Sequence, residues 1–362
     1  MALTFALGVQ ALQLDKLSKK QSGRSLERDP NGTEFLWAIE DVYEGQNFFD
    51  RWTFFSHEDP EHGQVNYVNA STAFADGLAY VTEGNRVIMK VDNTTSVAEG
   101  TNRNSIRIQS NASYNTSLII LDVNHAPYGC GVWPAFWTVG PDWPFNGEID
   151  ILEGVSLNYQ NQITWHTGPE CLLTPSSNYT GTLVGNLNCD TNVSSNAGCG
   201  IIDKSAASYG PYFDLQGGGV YAMMWDETGI SVWNFYRAAI PVEIAQGGSP
   251  RPDMWGLPAA QLSPEGCDIF GSFMNQSIIF DITLCGVWAG NAYPSSCPGT
   301  CATQVMDPAN FVNASWDVNF VRVYSKQVAV GKSSSSGRRA VHDSDLPYLL
   351  LGGMLVIALI AY

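Results

Sequence analysis

Hydrophobic and polar positions in this chain fall into short runs, and none of them keeps a helical stripe for long. Between residues 34 and 325 the apolar runs recur at close intervals, separated by Gly, Asn, Asp and Pro. Ser105-Ile106-Arg107-Ile108-Gln109 alternates strictly, the period of a strand with one buried face. Residues 118–123 are apolar almost throughout. The pattern predicts strands over 65–68, 87–91, 105–109, 118–123, 135–139, 148–153, 163–166, 219–225, 230–236, 277–283 and 316–324. Asp226-Glu227-Thr228-Gly229 separates two of them and predicts a hairpin. Many short strands with turn signals predict an all-β sandwich or jelly roll. No boundary shows inside 34–325, so this stretch reads as one domain. Residues 160–210, rich in Asn, Ser and Gly with three Cys, read as strands joined by long disulfide-pinned loops.

The ends read differently. Residues 1–14 are uncharged and mostly apolar but lack the basic start of a good signal peptide. They read as a weak signal or a misassigned chain start. With the polar, charged residues 15–33 they form an expected leader, 1–33. Residues 326–345 are a polar, Ser-rich spacer, and 346–362 are apolar. Seventeen apolar residues could just span a bilayer. Small residues around Ser335, a polar spacer and an apolar tail match a glycolipid-anchor signal, with a retained transmembrane helix as the alternative.

One predicted strand carries chemistry. Asn146-Gly147-Glu148-Ile149-Asp150-Ile151-Leu152-Glu153-Gly154 sets three carboxylates among residues that otherwise read as a buried strand. Alternation puts Glu148 and Asp150 on one face. One extra residue, a β-bulge, would return Glu153 to that face. Buried unpaired carboxylates are costly, so three together predict a solvated cleft. Paired carboxyls flanking a sugar linkage are the usual machinery of glycoside hydrolysis. A polar sheet face or a cation site are the alternatives.

Composition narrows the partners. The 362 residues include 35 Asp and Glu against 18 Lys and Arg, a net charge of -17. Half of the basic residues lie before residue 34 or after residue 325, which leaves the middle more acidic still. Such a surface argues against nucleic-acid phosphates and suits an uncharged polysaccharide. Eight Cys, none in a Cys-x2-Cys pair, argue against zinc. Asn-x-Ser/Thr sequons begin at Asn31, Asn69, Asn93, Asn111, Asn115, Asn178, Asn192, Asn275 and Asn313. With an even Cys count they predict a glycosylated, disulfide-bonded protein of the secretory path. Free core Cys are the alternative. Eight Cys allow 105 connectivities, so pairs stay unassigned.

The chain resembles glycoside hydrolase family 16, specifically its fungal laminarinase-like endo-1,3(4)-β-glucanases. The resemblance runs from about Phe35 to Tyr324. It rests on Glu40-Asp41-Val42-Tyr43-Glu44-Gly45, His62-Gly63-Gln64-Val65-Asn66-Tyr67-Val68 and Gly129-Cys130-Gly131-Val132-Trp133-Pro134-Ala135-Phe136-Trp137. It continues through 147–154, Trp165-His166-Thr167 and 280–290. It implies a β-jelly roll of two antiparallel sheets with a concave substrate cleft. It implies retaining hydrolysis of internal β-1,3 and mixed β-1,3/1,4 linkages, with Glu148 as nucleophile, Glu153 as acid/base and Asp150 tuning the nucleophile. Trp133, Trp137 and Trp288 are candidate sugar-stacking residues, and His166 a candidate supporting residue. Trp165 stands where a smaller aliphatic residue is expected, which puts local packing or one subsite in question. Trp233, Phe235 and Trp316 read as core.

No cofactor is implied. Some family members carry a calcium ion away from the active site, and no ligand spacing here places one, so no metal residue is assigned. A monomer acting on β-glucan outside the cell, held at its surface by the C-terminal anchor, is the expected setting. A wall-remodelling transglycosylase of the same fold is the alternative activity, although chitin–glucan crosslinkers typically carry a tighter Glu-x-Asp-x-Glu motif. A glucan-binding protein without catalysis would typically have lost one glutamate. A purely structural glycoprotein would not need the carboxylate cluster.

Overall fold

Two antiparallel sheets account for most of the strand periodicity, and Val65–Tyr67 pairs apart from them, parallel to Arg103–Ser105. The computed structural model describes residues 26–329, and the expected anchor tail and most of the expected leader lie outside them. Among the described residues, the eight-stranded sheet runs Thr182–Gly185, Cys199–Ile202, Gln162–His166, Glu148–Glu153, Val132–Val139, Gln276–Leu284, Arg107–Tyr114, Trp52–Phe54. The carboxylate strand is therefore interior to its sheet. The other sheet is built on Glu34–Glu44, Ser315–Val328, Ser117–His125, Gly219–Asp226 and Gly229–Tyr236. Among the described residues the α-helices are short, the longest spanning six residues, in keeping with the missing 3.6-residue period.

The core lies between the sheets. Ile149, Ile151, Leu152, Phe136, Ile163 and Trp165 meet Ile119, Leu121, Tyr221, Met223, Val321 and Val323 across it. Residues 118–121 are apolar throughout because both faces of their strand are covered. Leu118 and Ile120 point the other way, into a second cluster with Trp37, Val220 and Ile244. Trp316 is fully buried in the main core. Trp233 and Phe235 are on the outer side of their sheet, edge-on to Trp255. Trp165 is also in the core, so its bulk bears on packing and not on a subsite.

Several boundaries differ from the sequence reading. Glu27–Arg28 already pairs with Phe35 and Glu34, so the fold starts inside the expected leader. The last strand runs past 325 to Val328, because Gln327 and Val328 still pair with Leu36 and Phe35. The 105–109 run splits into Arg103–Ser105 and Arg107–Tyr114. The predicted hairpin is present, closing at the Asp226–Gly229 pair.

Eight cysteines form four disulfides: Cys130–Cys297, Cys171–Cys267, Cys189–Cys199 and Cys285–Cys301. The first and last pin the segment 285–301, which carries Trp288, onto the sheet that bears the carboxylates.

Candidate active site

The site begins with a bulge. On one side of the carboxylate strand, Glu148, Asp150 and Glu153 face His166, Thr164 and Gln162, three steps against two between Asp150 and Glu153. On the other side, Val139, Trp137 and Ala135 face the same three carboxylates. The extra residue lets Ile151 and Leu152 both enter the core, each fully buried, and returns Glu153 to the face of Glu148 and Asp150. Gly147 immediately precedes the strand at φ +73°, and a Cβ there would lie 2.3 Å from the Phe273 ring. Only glycine admits that turn so close to its neighbour.

Each glutamate has its own indole donor. Trp133 Nε1 donates to Glu153 Oε1 at 2.8 Å. Trp143 Nε1, from the 140–147 loop, donates to Glu148 Oε2 at 2.5 Å. Asp150 Oδ2 lies 3.5 Å from His166 Nε2, whose other nitrogen meets Asn196 Oδ1 at 3.1 Å. Trp137 Nε1 donates to Asp281 Oδ2 at 2.9 Å, and the Arg107 guanidinium sits 5.0 Å over the Trp137 ring. Trp288 is half-buried and meets Trp133 edge-on at 5.5 Å.

Burial and charge raise both glutamates, and their enclosure differs. Burial, then the Asp150 charge, pushes Glu148 up to about 8, while His166 and the Trp143 donor oppose the rise. Glu153 is raised well above the usual carboxylate range, again by burial and then by Asp150. Glu153 is the more enclosed, at 9 % exposure, and Glu148 opens further into the cleft. A cluster of like charges gives up its protons singly, so burial and the shared Asp150 charge favour keeping a proton within the pair. Burial works against a charged His166, but Glu148 and Asp150 outweigh it and lift the ring to about 10. Glu148, Asp150 and His166 place ligand atoms within 4.8 Å of one another, a spacing that could suit a cation. Pairing of the carboxylates with an imidazolium accounts for the same closeness.

All of the residues singled out beforehand, Glu148, Asp150, Glu153, Trp133, Trp137, His166 and Trp288, come together here. Trp133 and Trp137 differ from expectation in detail: each is over nine-tenths buried and spends its N–H on a carboxyl. The open indole is Trp143, 44 % exposed, which the sequence reading missed. Its signal was proximity, five residues before Glu148. Asp281, pushed up to about 7 by burial against the pull of Arg107, was also missed. Its signal was an acidic residue inside an apolar strand.

A two-sheet jelly roll with paired glutamates and tryptophans on an outward sheet face defines a carbohydrate-active protein. Comparison with known proteins specifies which. The model of the XgeA-like catalytic domain of glycoside hydrolase family 16 matches residues 52–324, and the chain belongs to that family. A probable glycosidase of Schizosaccharomyces pombe is 42% identical over 304 residues, covering 82% of this chain and 71% of its own. The endo-1,3(4)-β-glucanase xgeA of Emericella nidulans is 37% identical over 300 residues, 80% of this chain and 47% of its own. The chain thus spans about half the length of several curated relatives. Laminarinase 16A of Phanerochaete chrysosporium, solved with β-glucans in donor and acceptor sites, superposes with a TM-score of 0.77 at 42% identity, over 80% of this chain and 99% of that one. An elongating family 16 β-1,3-glucosyltransferase superposes with a TM-score of 0.75 at 38% identity, over 80% of this chain and all of that one.

Proposed function

We propose that this chain is a retaining endo-glycosidase that cleaves internal β-1,3 and mixed β-1,3/1,4 linkages of glucan. The observation that carries the reading is the pair Glu148 and Glu153 on one sheet face, each with its own indole donor and in unequal enclosure. Glu148 attacks the anomeric carbon as a carboxylate. The bond to the leaving sugar breaks, and Glu153 gives its proton to the departing oxygen. Water then attacks the glycosyl-enzyme, Glu153 takes its proton, and Glu148 is released. Neutralising Glu148 as an ester removes one charge from the cluster, which lowers the pKa of Glu153 when it must act as base. Asp150 and His166 hold charge beside Glu148. Trp143 offers an open indole face for a sugar ring, and Trp288 a half-buried one.

The test is product analysis. Laminarin, lichenan and chitin oligomers are incubated with the protein and with Glu148→Gln. Short oligosaccharides from laminarin and lichenan, absent with Glu148→Gln, support the reading; near-normal activity of Glu148→Gln sinks it. The likeness to the elongating glucosyltransferase favours a second reading, transfer to another sugar, and products longer than the substrate would establish it. Binding without products from folded protein would leave a lectin.

The setting is proposed as extracellular, with the chain lipid-anchored at the cell surface. Four disulfides support it, as do the nine sequons, of which all but Asn93 have an exposed asparagine. Mass loss on deglycosylation and release from cells by a phosphatidylinositol-specific phospholipase test it. Release without the enzyme would refute the anchor.

A further inference from the structure

The bulge that brings Glu153 to the cleft shifts the register between Asp150 and Glu153, and backbone groups on either side of Leu152 find a partner outside the ladder. One side chain serves two of them. The Glu153 N–H donates to Asn161 Oδ1 at 2.9 Å, and Asn161 Nδ2 donates to the Ile151 carbonyl at 2.9 Å. The carboxamide thus takes the place of a peptide unit on either side of Leu152. Donor and acceptor are both required, so a single amide orientation fits. Asn161 is fully buried. Its own N–H donates to Ser208 Oγ at 2.9 Å, and that hydroxyl donates onward to the Ser205 carbonyl at 2.7 Å. The clamp is therefore fixed from behind by a second buried residue.

We infer that Asn161 is a positioning residue for Glu153: its carboxamide holds the Ile151–Glu153 bulge and so sets where the acid/base carboxyl stands in the cleft. The inference rests on the acid/base reading of Glu153. Asn161 touches neither reacting atoms nor Glu148. It acts on the half of the reaction that needs a proton moved, and leaves nucleophilic attack in place. No other residue type matches it. Aspartate keeps the acceptor, loses the donor to Ile151 and adds a charge beneath Glu153. Serine is too short to span both groups.

The test separates proton transfer from attack. Asn161→Ala, Asn161→Asp and Glu153→Gln are assayed on laminarin and on 2,4-dinitrophenyl β-laminaribioside with azide. The aryl leaving group departs without a proton, and azide attacks without a base. A misplaced acid/base costs about 10²-fold on laminarin, and the expected loss for both Asn161 variants is of that order. On the activated substrate with azide they should fall less than about tenfold, as Glu153→Gln does, because general acid and base assistance is no longer needed. The alkaline limb of the Asn161→Ala pH profile should also move. Equal proportional losses on both substrates, or full activity on laminarin, would overturn the assignment. So would failure of both Asn161 variants to fold, since the carboxamide would then be holding the sheet and not one side chain. If Glu153→Gln itself shows no dependence on leaving group, the acid/base reading falls and this inference with it. If Glu153→Gln shows it and the Asn161 variants do not, this inference alone falls.

Discussion

Trp133→Phe isolates one hydrogen bond at the acid/base. Phenylalanine keeps a ring against Val155, Ala289 and Trp288 and removes the N–H that reaches Glu153 Oε1 at 2.8 Å. Trp133 is 8% exposed and Glu153 9%, so bulk water does not replace the donor. A hydrogen bond to a charged group contributes about 1.5–3 kcal/mol, and only part of that is lost when the carboxyl is neutral. A differential near the lower figure corresponds to about one pKa unit. The sign follows from the donor favouring the ionised form: without it, Glu153 holds its proton to higher pH. In a profile of kcat/KM against pH on laminarin, the acidic limb reports ionisation of Glu148 and the alkaline limb loss of the Glu153 proton. The alkaline limb of Trp133→Phe should move up by about one pH unit, with the acidic limb unmoved. A weaker acid should also lower kcat several-fold. An alkaline limb that stays in place or moves down would refute the assignment of Glu153 as the group titrating there.

Other perturbations reach different links. Asp150→Asn removes a charge that lifts His166 to about 10, so the ring should titrate lower by NMR while glucan turnover weakens without vanishing; an unmoved His166 would count against the pairing. Opening Cys130–Cys297, with a sequence separation of 167, releases a long loop in the unfolded chain. Replacing both cysteines by serine should cost about 3–5 kcal/mol, read as a lower midpoint in denaturant unfolding. Glu27 is pushed up to about 8 by burial and then by Asp253, with Arg251 opposing. Its folded pKa lies above its unfolded one, so its cost to stability is absent below about 4.5 and grows as pH rises towards 8. Glu27→Gln should therefore melt higher than the parent at pH 8 and equally at pH 4. Equal melting at both would place Glu27 in water.

The site was legible in sequence to the extent that its geometry is local. Glu148, Asp150 and Glu153 share a strand, and a period of two with one inserted residue is enough to set them on one face. Ile149, Ile151 and Leu152 supply the buried counterpart that fixes the register. The partners of those carboxyls were less legible. Trp133 and Trp137 read as stacking surfaces, because a sequence shows an indole and not the direction of its N–H. Trp143 sits in a Gly- and Pro-bounded loop with no periodicity to mark it. Asn161 looks like any loop asparagine until its carboxamide is seen against the Glu153 N–H and the Ile151 carbonyl of the bulge.

By itself, the sequence determined the class of fold, the strand that carries the carboxyls and the acidic character of the chain. These follow from alternation, spacing and composition, which need no knowledge of distant contacts. Tertiary structure alone decided which of 105 cysteine pairings forms. It also decided which indole serves which glutamate, and that the run 118–121 is apolar because two separate clusters cover its faces. The physical reason is the same in each case. Local pattern sets which way a side chain points, but the groups it meets come from strands that only sheet pairing brings within hydrogen-bonding distance. Asp281 and Trp137 are 144 residues apart in the chain and 2.9 Å apart in the cleft.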